Sequence, residues 1–107
     1  KKIMVVETAY PWTNRNADGY NNIISGNQGF QSYGANEEAQ LNYLRDLTQA
    51  IIDGGGTGIM YWEPAWITSS MKDLWGTGSS WDNCTLFDAN GNTIKGIRFY
   101  SNKYNFK

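Results

Sequence analysis

Two glutamates stand where a β/α protein can carry out carboxylate chemistry. Glu7 follows the apolar run 3–6, and Glu63 follows the run 57–62 directly before Pro64. The sequence contains no His, which excludes Ser-His-Asp and Cys-His nucleophile systems and His-ligated zinc within this chain. Acid, base or nucleophile roles therefore fall to carboxylates.

Aromatic residues are the second chemical feature. They make up 15% of the 107 residues, with five Trp and seven Tyr, and sugar-binding clefts use such rings as flat apolar platforms with polar rims. The net charge of −1 comes without a basic block, so we expect no nucleic-acid partner. Cys84 is the only cysteine, and we expect it to be a small packed residue.

The elements that must position these residues are two strands and a helix. The run 3–7 is typical of a strand buried on both faces of a parallel sheet, and the run 57–62 has the same character. Between them, Asn36 is a candidate N-cap, apolar residues recur at helical spacing to residue 53, and Gly54 begins a three-glycine stop. A parallel pair joined by a crossover helix is a βαβ unit, whose functional loops lie at the carboxyl ends of the strands.

The remaining segments are predicted to be less regular. Residues 8–35 are rich in Asn, Gly and Ser and predict a long loop, and residues 65–88 predict an irregular stretch that carries several aromatic residues. Residues 88–92 form a turn signal, and residues 94–106 predict a short, fraying helix. We expect no membrane span and find no signal-peptide pattern.

Three linked motifs resemble glycoside hydrolase family 53, the endo-β-1,4-galactanases. They are residues 5–13 (VVETAYPWT), residues 58–67 (GIMYWEPAWI), and residues 81–83 (WDN) with 86–88 (LFD). The resemblance implies an α/β fold, a fragment of a (β/α)8 TIM barrel with strands seven and eight and the helix between them. A complete barrel of this kind needs about 250 residues, so this chain would be its C-terminal segment.

The resemblance also implies roles for individual residues. Retaining glycosidases use two carboxyl groups about 5–5.5 Å apart, and Glu7 takes the nucleophile position. The acid/base Glu would belong to the remainder of the barrel upstream of Lys1, so the chain alone is expected to be inactive. Glu63 is expected to be structural or to support the site indirectly. The expected substrate-binding residues are Tyr10, Trp62, Trp66 and Trp81.

Bacterial members of the family can carry calcium in the loop after strand seven, although no cofactor is required. Asp18 and Asn22, with Asn21 nearby and Asp82 as a second carboxylate, are the expected ligands, because calcium prefers hard oxygen donors. The alternative is an Asn- and Asp-rich turn without a metal.

The implied activity is retaining, internal cleavage of β-1,4-galactosidic bonds in galactan or galacto-oligosaccharide, in a secreted, cell-surface or periplasmic protein. Two other interpretations stay open. One is a fragment of a different retaining barrel glycosidase, of the mannanase or cellulase type. The other is a non-catalytic carbohydrate-binding module, although such modules are usually β-sandwiches with alternating strands.

Overall fold

A computed structural model describes residues 1–25 and 33–106. Within these ranges the order is β1 (Met4–Thr8), α1 (Glu37–Asp53), β2 (Gly58–Tyr61), β3 (Lys72–Asp73), β4 (Gly76–Thr77) and a 3₁₀ helix (Lys95–Ser101). Residues 8–25 and 33–36 contain no helix and, beyond Thr8, no strand. The remaining part of the predicted loop, residues 26–32, lies outside the described residues.

The predicted βαβ unit is confirmed. β1 and β2 are parallel neighbours, with Met4 opposite Gly58, Val5 opposite Ile59 and Thr8 opposite Tyr61. Helix α1 packs on β2 and on the 3₁₀ helix. The carboxyl ends of both strands therefore lie at the same edge of the sheet, where a β/α fold places its functional loops.

Helix α1 begins and ends where the sequence predicts. The Asn36 side chain accepts a hydrogen bond from the Ala39 N–H at 2.8 Å, which satisfies one of the free donors of the first turn. At the other end the Gly54 N–H donates to the Ala50 carbonyl at 3.0 Å, and Gly55 has a φ of 80°. A positive φ is accessible to glycine at little cost, so the chain can leave the helix there.

The hydrophobic core joins the helix to the C-terminal part of the chain. Leu44 and Leu86 are almost fully buried, and Phe99 reaches the same cluster from the 3₁₀ helix. The predicted turn at 88–92 is closed by an antiparallel bridge between Phe87 and Thr93. The predicted C-terminal helix is present only as the 3₁₀ helix Lys95–Ser101, which is shorter than the 94–106 expected.

A buried polar cluster, defined by the Gln40 amide and the Tyr61 hydroxyl, ties the loops to this core. The Gln40 Nε2 faces the carbonyl oxygens of Tyr10, Cys84 and Thr85 at 3.0–3.2 Å. The Tyr61 hydroxyl accepts from the Tyr10 N–H at 3.0 Å. Leaving any of these backbone groups without a partner would cost free energy, so the cluster fixes the path of the chain after β1.

Cys84 is fully buried in this cluster, as predicted. Burial raises the pKa of its thiol to about 12, with a smaller contribution from the nearby Asp82 carboxylate. The thiol therefore stays protonated and behaves as a packing group.

Burial of the strands on both faces is not observed in the described residues. Ile3 and Val6 are more than half exposed, and so is Met60 on β2. Helix α1 covers one side of a sheet that has only two strands here. Exposed apolar residues of this kind are typical of a strand that is buried in a larger sheet. The described residues do not supply the surface that would bury them.

The stretch 65–88 is more ordered than predicted. β3 and β4 form a small antiparallel hairpin, with Lys72 opposite Thr77 and Asp73 opposite Gly76. Leu74 and Trp75 lie at its tip, 93% and 74% exposed. No helix within the described ranges is long and apolar enough to cross a membrane.

Candidate active site

Glu7 lies on an irregular part of β1. Val5 pairs with Ile59 and Thr8 with Tyr61, so Val6 and Glu7 together stand opposite the single residue Met60. One extra residue on a strand is a β-bulge, which breaks the alternation of side chains and redirects them. Val6 and Glu7 are accordingly both exposed although they are consecutive. The bulge therefore leaves Glu7 exposed beside Val6 near the carboxyl end of β1.

Two indole rings lie beside Glu7. The backbone N–H of Trp62 donates to the carbonyl of Thr8 at 2.8 Å, so the pairing of β1 with β2 continues for one more residue. The Trp62 ring meets the Trp81 ring edge to face, with centroids 6.2 Å apart. Glu7, Trp62 and Trp81 line one cavity of about 260 Å³, together with Thr8, Ala9 and Ile24. The structure thus brings together three of the five predicted catalytic and substrate-binding residues.

Glu63 and Trp66 lie in a different cavity. β2 ends at Tyr61, and Glu63 has a φ of 47°, the one positive value for a residue other than glycine in the described ranges. The backbone turns at Glu63. Glu63 and Trp66 line a cavity of about 430 Å³, and Glu7 is not among its lining residues. The expectation that Glu63 does not share the catalytic position agrees with this geometry.

Trp75 joins this second cavity, and sequence reasoning did not select it. The ring stands on the β3–β4 hairpin and lines the cavity with Trp66, Met71 and Asp73. Its exposure of 74% is unusual for an indole. Trp75 lies between two strands of only two residues each. Strands this short give no periodic pattern of apolar residues, so the sequence could not indicate where this ring lies.

Tyr10 does not line either cavity. Its side chain is 1% exposed, it stacks on Tyr43 with centroids 4.6 Å apart, and its hydroxyl donates to the Gly34 carbonyl at 2.5 Å. Burial is the main reason why the pKa of Tyr10 lies above its ordinary value, and the neighbouring Tyr33 and Tyr43 add to it. The structure therefore places Tyr10 in the core and not at a sugar-binding surface.

A larger cavity, of about 590 Å³, lies between the loop after β1 and the turn at 88–92. It is lined by Trp12, Arg15 and Asp88 among others, and it includes neither Glu7 nor Trp62. Size alone does not select the site here, because the residues with the relevant chemistry line the smaller cavity.

The Asp18 carboxylate, one of the two principal calcium ligands expected, is surrounded by hydrogen-bond donors. Its Oδ1 accepts from the Tyr20 N–H at 2.7 Å. Its Oδ2 accepts from the Thr68 hydroxyl at 2.7 Å and from the Ser79 N–H at 2.6 Å. Burial alone would raise the pKa of Asp18, but these hydrogen bonds outweigh it and hold the pKa below its ordinary value.

Asp82 shares one of these donors but has the opposite electrostatic environment. Its Oδ2 accepts from the Ala17 N–H at 3.0 Å and lies 3.0 Å from the Thr68 hydroxyl, whose single proton is shared with the nearer Asp18 oxygen. Its Oδ1 is buried and has no partner among the described residues. Burial raises the pKa of Asp82 above its ordinary value, and the nearby Asp18 carboxylate also raises it.

Two oxygens of the expected calcium ligands have no hydrogen-bond partner among the described residues. They are the buried Oδ1 of Asp82 and the buried Oδ1 of Asn22, whose Nδ2 donates to the Arg15 carbonyl at 3.0 Å. Calcium takes six to eight oxygen ligands, and each oxygen of Asp18 already accepts at least one hydrogen bond. A calcium ion at this place stays a prediction. In the ranges 1–25 and 33–106, no group of three or more Asp, Glu, Cys or His side chains could hold a metal ion.

Comparison with known proteins decides the family. Residues 1–100 match the sequence profile of Glycosyl hydrolase family 53. The chain belongs to glycosyl hydrolase family 53. This membership and the parallel βαβ unit set aside both the carbohydrate-binding module and the other barrel glycosidases as interpretations of the sequence.

Several known proteins are similar to nearly the whole of this chain. The chain is 41% identical over 106 residues to "Arabinogalactan endo-beta-1,4-galactanase" of Cellvibrio japonicus, covering 97% of this chain. It is 30% identical over 132 aligned residues to "Endo-beta-1,4-galactanase" of Bacillus subtilis, covering 94% of this chain. The structure of the Ignisphaera aggregans GH53 catalytic domain superposes on 98% of the chain with a TM-score of 0.81 and 33% identity.

The chain spans less than a third of the length of each of these proteins. It corresponds to 28% of the Cellvibrio japonicus relative and 31% of both the Bacillus subtilis relative and the Ignisphaera aggregans domain. Its fold is accordingly that of a fragment of a TIM barrel, which accounts for a sheet with exposed apolar residues.

Proposed function

We propose that this chain supplies the nucleophile to the catalytic barrel of an endo-acting, retaining β-1,4-galactanase. The observation that supports this best is the single cavity lined by Glu7, Trp62 and Trp81 at the carboxyl end of the parallel strands. A carboxylate beside an indole pair is the combination that a glycosidase needs next to the bond it cleaves.

In this proposal β1, α1 and β2 are strand seven, helix seven and strand eight of the barrel. Parallel pairing of β1 with β2, and the position of α1 between them in the chain, are what this assignment requires. The exposed residues Ile3, Val6 and Met60 then face the remainder of the barrel, which would bury them.

The chemistry assigned to Glu7 is nucleophilic. Its carboxylate attacks the anomeric carbon of the galactosyl residue, the glycosidic bond breaks, and a glycosyl ester forms on Glu7. Water then hydrolyses the ester and restores the carboxylate. The Trp62 ring lies beside this reaction as an apolar surface against which the sugar ring packs.

The partner carboxyl group must come from elsewhere in the barrel. Among the described residues, Glu7 is the only carboxylate that lines the cavity with Trp62 and Trp81. Glu63 lines the other cavity. The isolated chain is therefore expected to lack activity, because the proton donor for the leaving group is missing.

Substrate binding in this proposal involves both cavities. Trp62 and Trp81 contact the sugar next to the cleaved bond, and Trp66 offers a platform farther along the galactan chain. Tyr10 supports the site only through the core. A polysaccharide substrate of this size also favours a secreted, cell-surface or periplasmic location.

The test uses the complete barrel, meaning this chain joined to the remaining strands. It is obtained as the full protein or by replacing the matching segment of the Cellvibrio japonicus relative. Proton NMR during hydrolysis of β-1,4-galactan should show internal cleavage with the β-anomer formed first. First formation of the α-anomer, or activity on mannan or cellulose alone, would contradict the proposal.

A further inference from the structure

Two short segments that begin at the Glu7 cavity turn backbone carbonyl groups toward the same buried atom. The first segment, residues 8–10, follows Glu7, and the second segment, residues 82–85, follows Trp81. Glu7 and Trp81 both line the cavity. Carbonyl oxygens of both segments lie 3.0–3.2 Å from one nitrogen, the Nε2 of Gln40. Because carbonyl oxygens only accept hydrogen bonds, a donor between them is needed to join these groups.

Gln40 supplies this donor from helix α1. Its side chain is fully buried, and its two N–H protons are shared by four oxygens. These are the carbonyls of Tyr10, Cys84 and Thr85 and the Tyr61 hydroxyl. The amide oxygen, Oε1, is also buried and has no hydrogen-bond partner among the described residues. The orientation of the amide is therefore set by the acceptors around its nitrogen.

The 3₁₀ helix leaves room for this amide oxygen at Gly96. A Cβ at position 96 would overlap the Gln40 Oε1 and would lie 3.2 Å from the Leu86 Cδ2. Gly96 is not among the residues that line the Glu7 cavity. An alanine at position 96 would therefore displace the Gln40 amide without removing its donor and without touching the cavity.

Cys84 connects the Gln40 amide to the Trp81 ring. The Cys84 N–H donates to the Trp81 carbonyl at 2.8 Å, so residues 81–84 form one closed turn that ends at a carbonyl held by Gln40. Glu7 lies on β1, which is held independently by its pairing with β2. A shift of the Cys84 carbonyl should therefore move the Trp81 ring relative to Glu7.

One backbone hydrogen bond also joins the two stretches of chain directly. The Trp12 N–H donates to the Asn83 carbonyl at 2.9 Å, and this bond does not involve Gln40. Loss of the Gln40 donor should therefore shift the second segment against the first and should not separate them. We expect an effect on the geometry of the cavity that is smaller than the effect of removing the Trp81 ring itself.

We propose that Gln40 is a positioning residue for the Glu7 cavity: its amide joins the two segments and thereby sets where the Trp81 ring lies relative to Glu7. The effect on turnover rests on the proposed function, because it requires a sugar bound between Glu7 and the indole rings. The structural part, a buried amide that joins two segments through their carbonyl groups, does not depend on it.

The experiment substitutes Gln40→Met in the complete barrel, with Gln49→Met as the matched control. Methionine is unbranched and close to glutamine in size, but it has no N–H donor. Gln49 lies on the same helix and also donates to a backbone carbonyl, that of Asn105 at 3.0 Å, but it lines neither cavity. Amide exchange in residues 81–86 should accelerate about tenfold in Gln40→Met and stay unchanged in Gln49→Met.

A double-mutant cycle separates positioning from a general loss of stability. At a temperature where the barrel is fully folded, Gln40→Met should lower kcat/KM for galactan about tenfold. In a Trp81→Ala background the same substitution should lower kcat/KM less than about twofold, since the ring through which Gln40 acts is gone. Its effect on the urea midpoint should be equal in the two backgrounds. Gln49→Met should leave kcat/KM within about twofold in both.

Gly96→Ala tests the same connection from the other side of the amide. It keeps the donor of Gln40 but displaces it, so it should also lower kcat/KM in the original background and have little effect in the Trp81→Ala background. Because the buried Gln40 side chain is unchanged in this variant, it decides the question if Gln40→Met does not fold.

Three results would overturn the proposal. They are an unchanged kcat/KM in folded Gln40→Met, an equal fall in the original and the Trp81→Ala backgrounds, and unchanged amide exchange in residues 81–86. If the unsubstituted barrel does not cleave galactan, the proposed function fails. The exchange measurement then still shows whether Gln40 joins the two segments.

Discussion

The ends of the two parallel strands carry the same residue type in different surroundings. Glu7 remains within β1, in extended backbone, and shares a cavity with Trp62 and Trp81. Glu63 follows the end of β2 at a φ of 47° and shares another cavity with Trp66 and Trp75. The local backbone conformation, and not the residue type, therefore determines which of the two carboxylates lies beside Trp62 and Trp81.

Tyr61 explains why the two strands end differently. Its hydroxyl is buried and contacts the Tyr10 and Cys84 backbones, so β2 is fixed to the core at its last residue. The chain then turns at Glu63. At the end of β1, by contrast, the bulge at Val6 and Glu7 redirects the side chains before the strand stops. β2 thus ends at a residue that is fixed to the core, whereas the neighbouring β1 contains a bulge near its end.

The largest expected effect is that of Glu7→Gln in the complete barrel. Glutamine keeps the shape of the side chain but cannot form the glycosyl ester, so kcat should fall by about a thousandfold or more with galactan binding largely retained. Steady-state kinetics and calorimetric titration measure the two quantities. A variant with a tenth or more of the original turnover would overturn the nucleophile assignment.

Trp62→Ala should have the next largest effect. Because an aromatic platform acts on the ground state and on the transition state, kcat/KM for galactan should fall about ten- to hundredfold through both constants. Trp66→Ala is the control in the second cavity, and it should mainly raise KM. Equal losses in kcat from the two variants would remove the distinction between the cavities.

Tyr61→Phe tests the fixed end of β2. Loss of the hydroxyl removes its hydrogen bonds with the Tyr10 N–H and with the Tyr10 and Cys84 carbonyls, which should lower the free energy of unfolding by about 1–3 kcal/mol. Urea denaturation of the complete barrel measures this change. Unaltered stability would mean that the buried polar cluster does not hold the strand end.

The smallest effect is expected at Glu63. Glu63→Gln should change turnover by less than about twofold and stability by less than about 0.5 kcal/mol, as for most partly exposed side chains. Glu63→Gly should be neutral or stabilising, because glycine adopts a positive φ at no steric cost. An inactive Glu63→Gln enzyme of normal stability would transfer the catalytic role from Glu7 to Glu63.

The sequence predicts the elements whose signals are local. The helix was expected at 36–53 and is Glu37–Asp53, since the Asn36 cap and the glycine stop are neighbours of the residues they limit. The strands expected at 3–7 and 57–62 are Met4–Thr8 and Gly58–Tyr61. Apolar runs bounded by polar residues suffice for these elements.

Features that depend on distant residues were not predictable. Tyr10 packs on Tyr43, 33 positions away, and this contact places it in the core and not beside Glu7. The β3–β4 hairpin is followed directly by Ser79, whose N–H donates to Asp18, more than 50 residues earlier in the chain, while β3 and β4 have only two residues each. The resemblance implied roles for Glu7, Trp62, Trp66 and Trp81, but only the three-dimensional structure shows that Trp81 shares a cavity with Glu7 and Trp62 and that Trp66 does not.

The most direct measurement is covalent labelling of the nucleophile. The complete barrel is incubated with an activated 2-deoxy-2-fluoro-β-galactobioside, which forms the glycosyl ester but hydrolyses slowly, and the digested protein is mapped by mass spectrometry. The account predicts one added fluoroglycosyl group on the peptide that contains Glu7, and none in Glu7→Gln. A label on the peptide that contains Glu63, or on a carboxylate outside this chain, would contradict it.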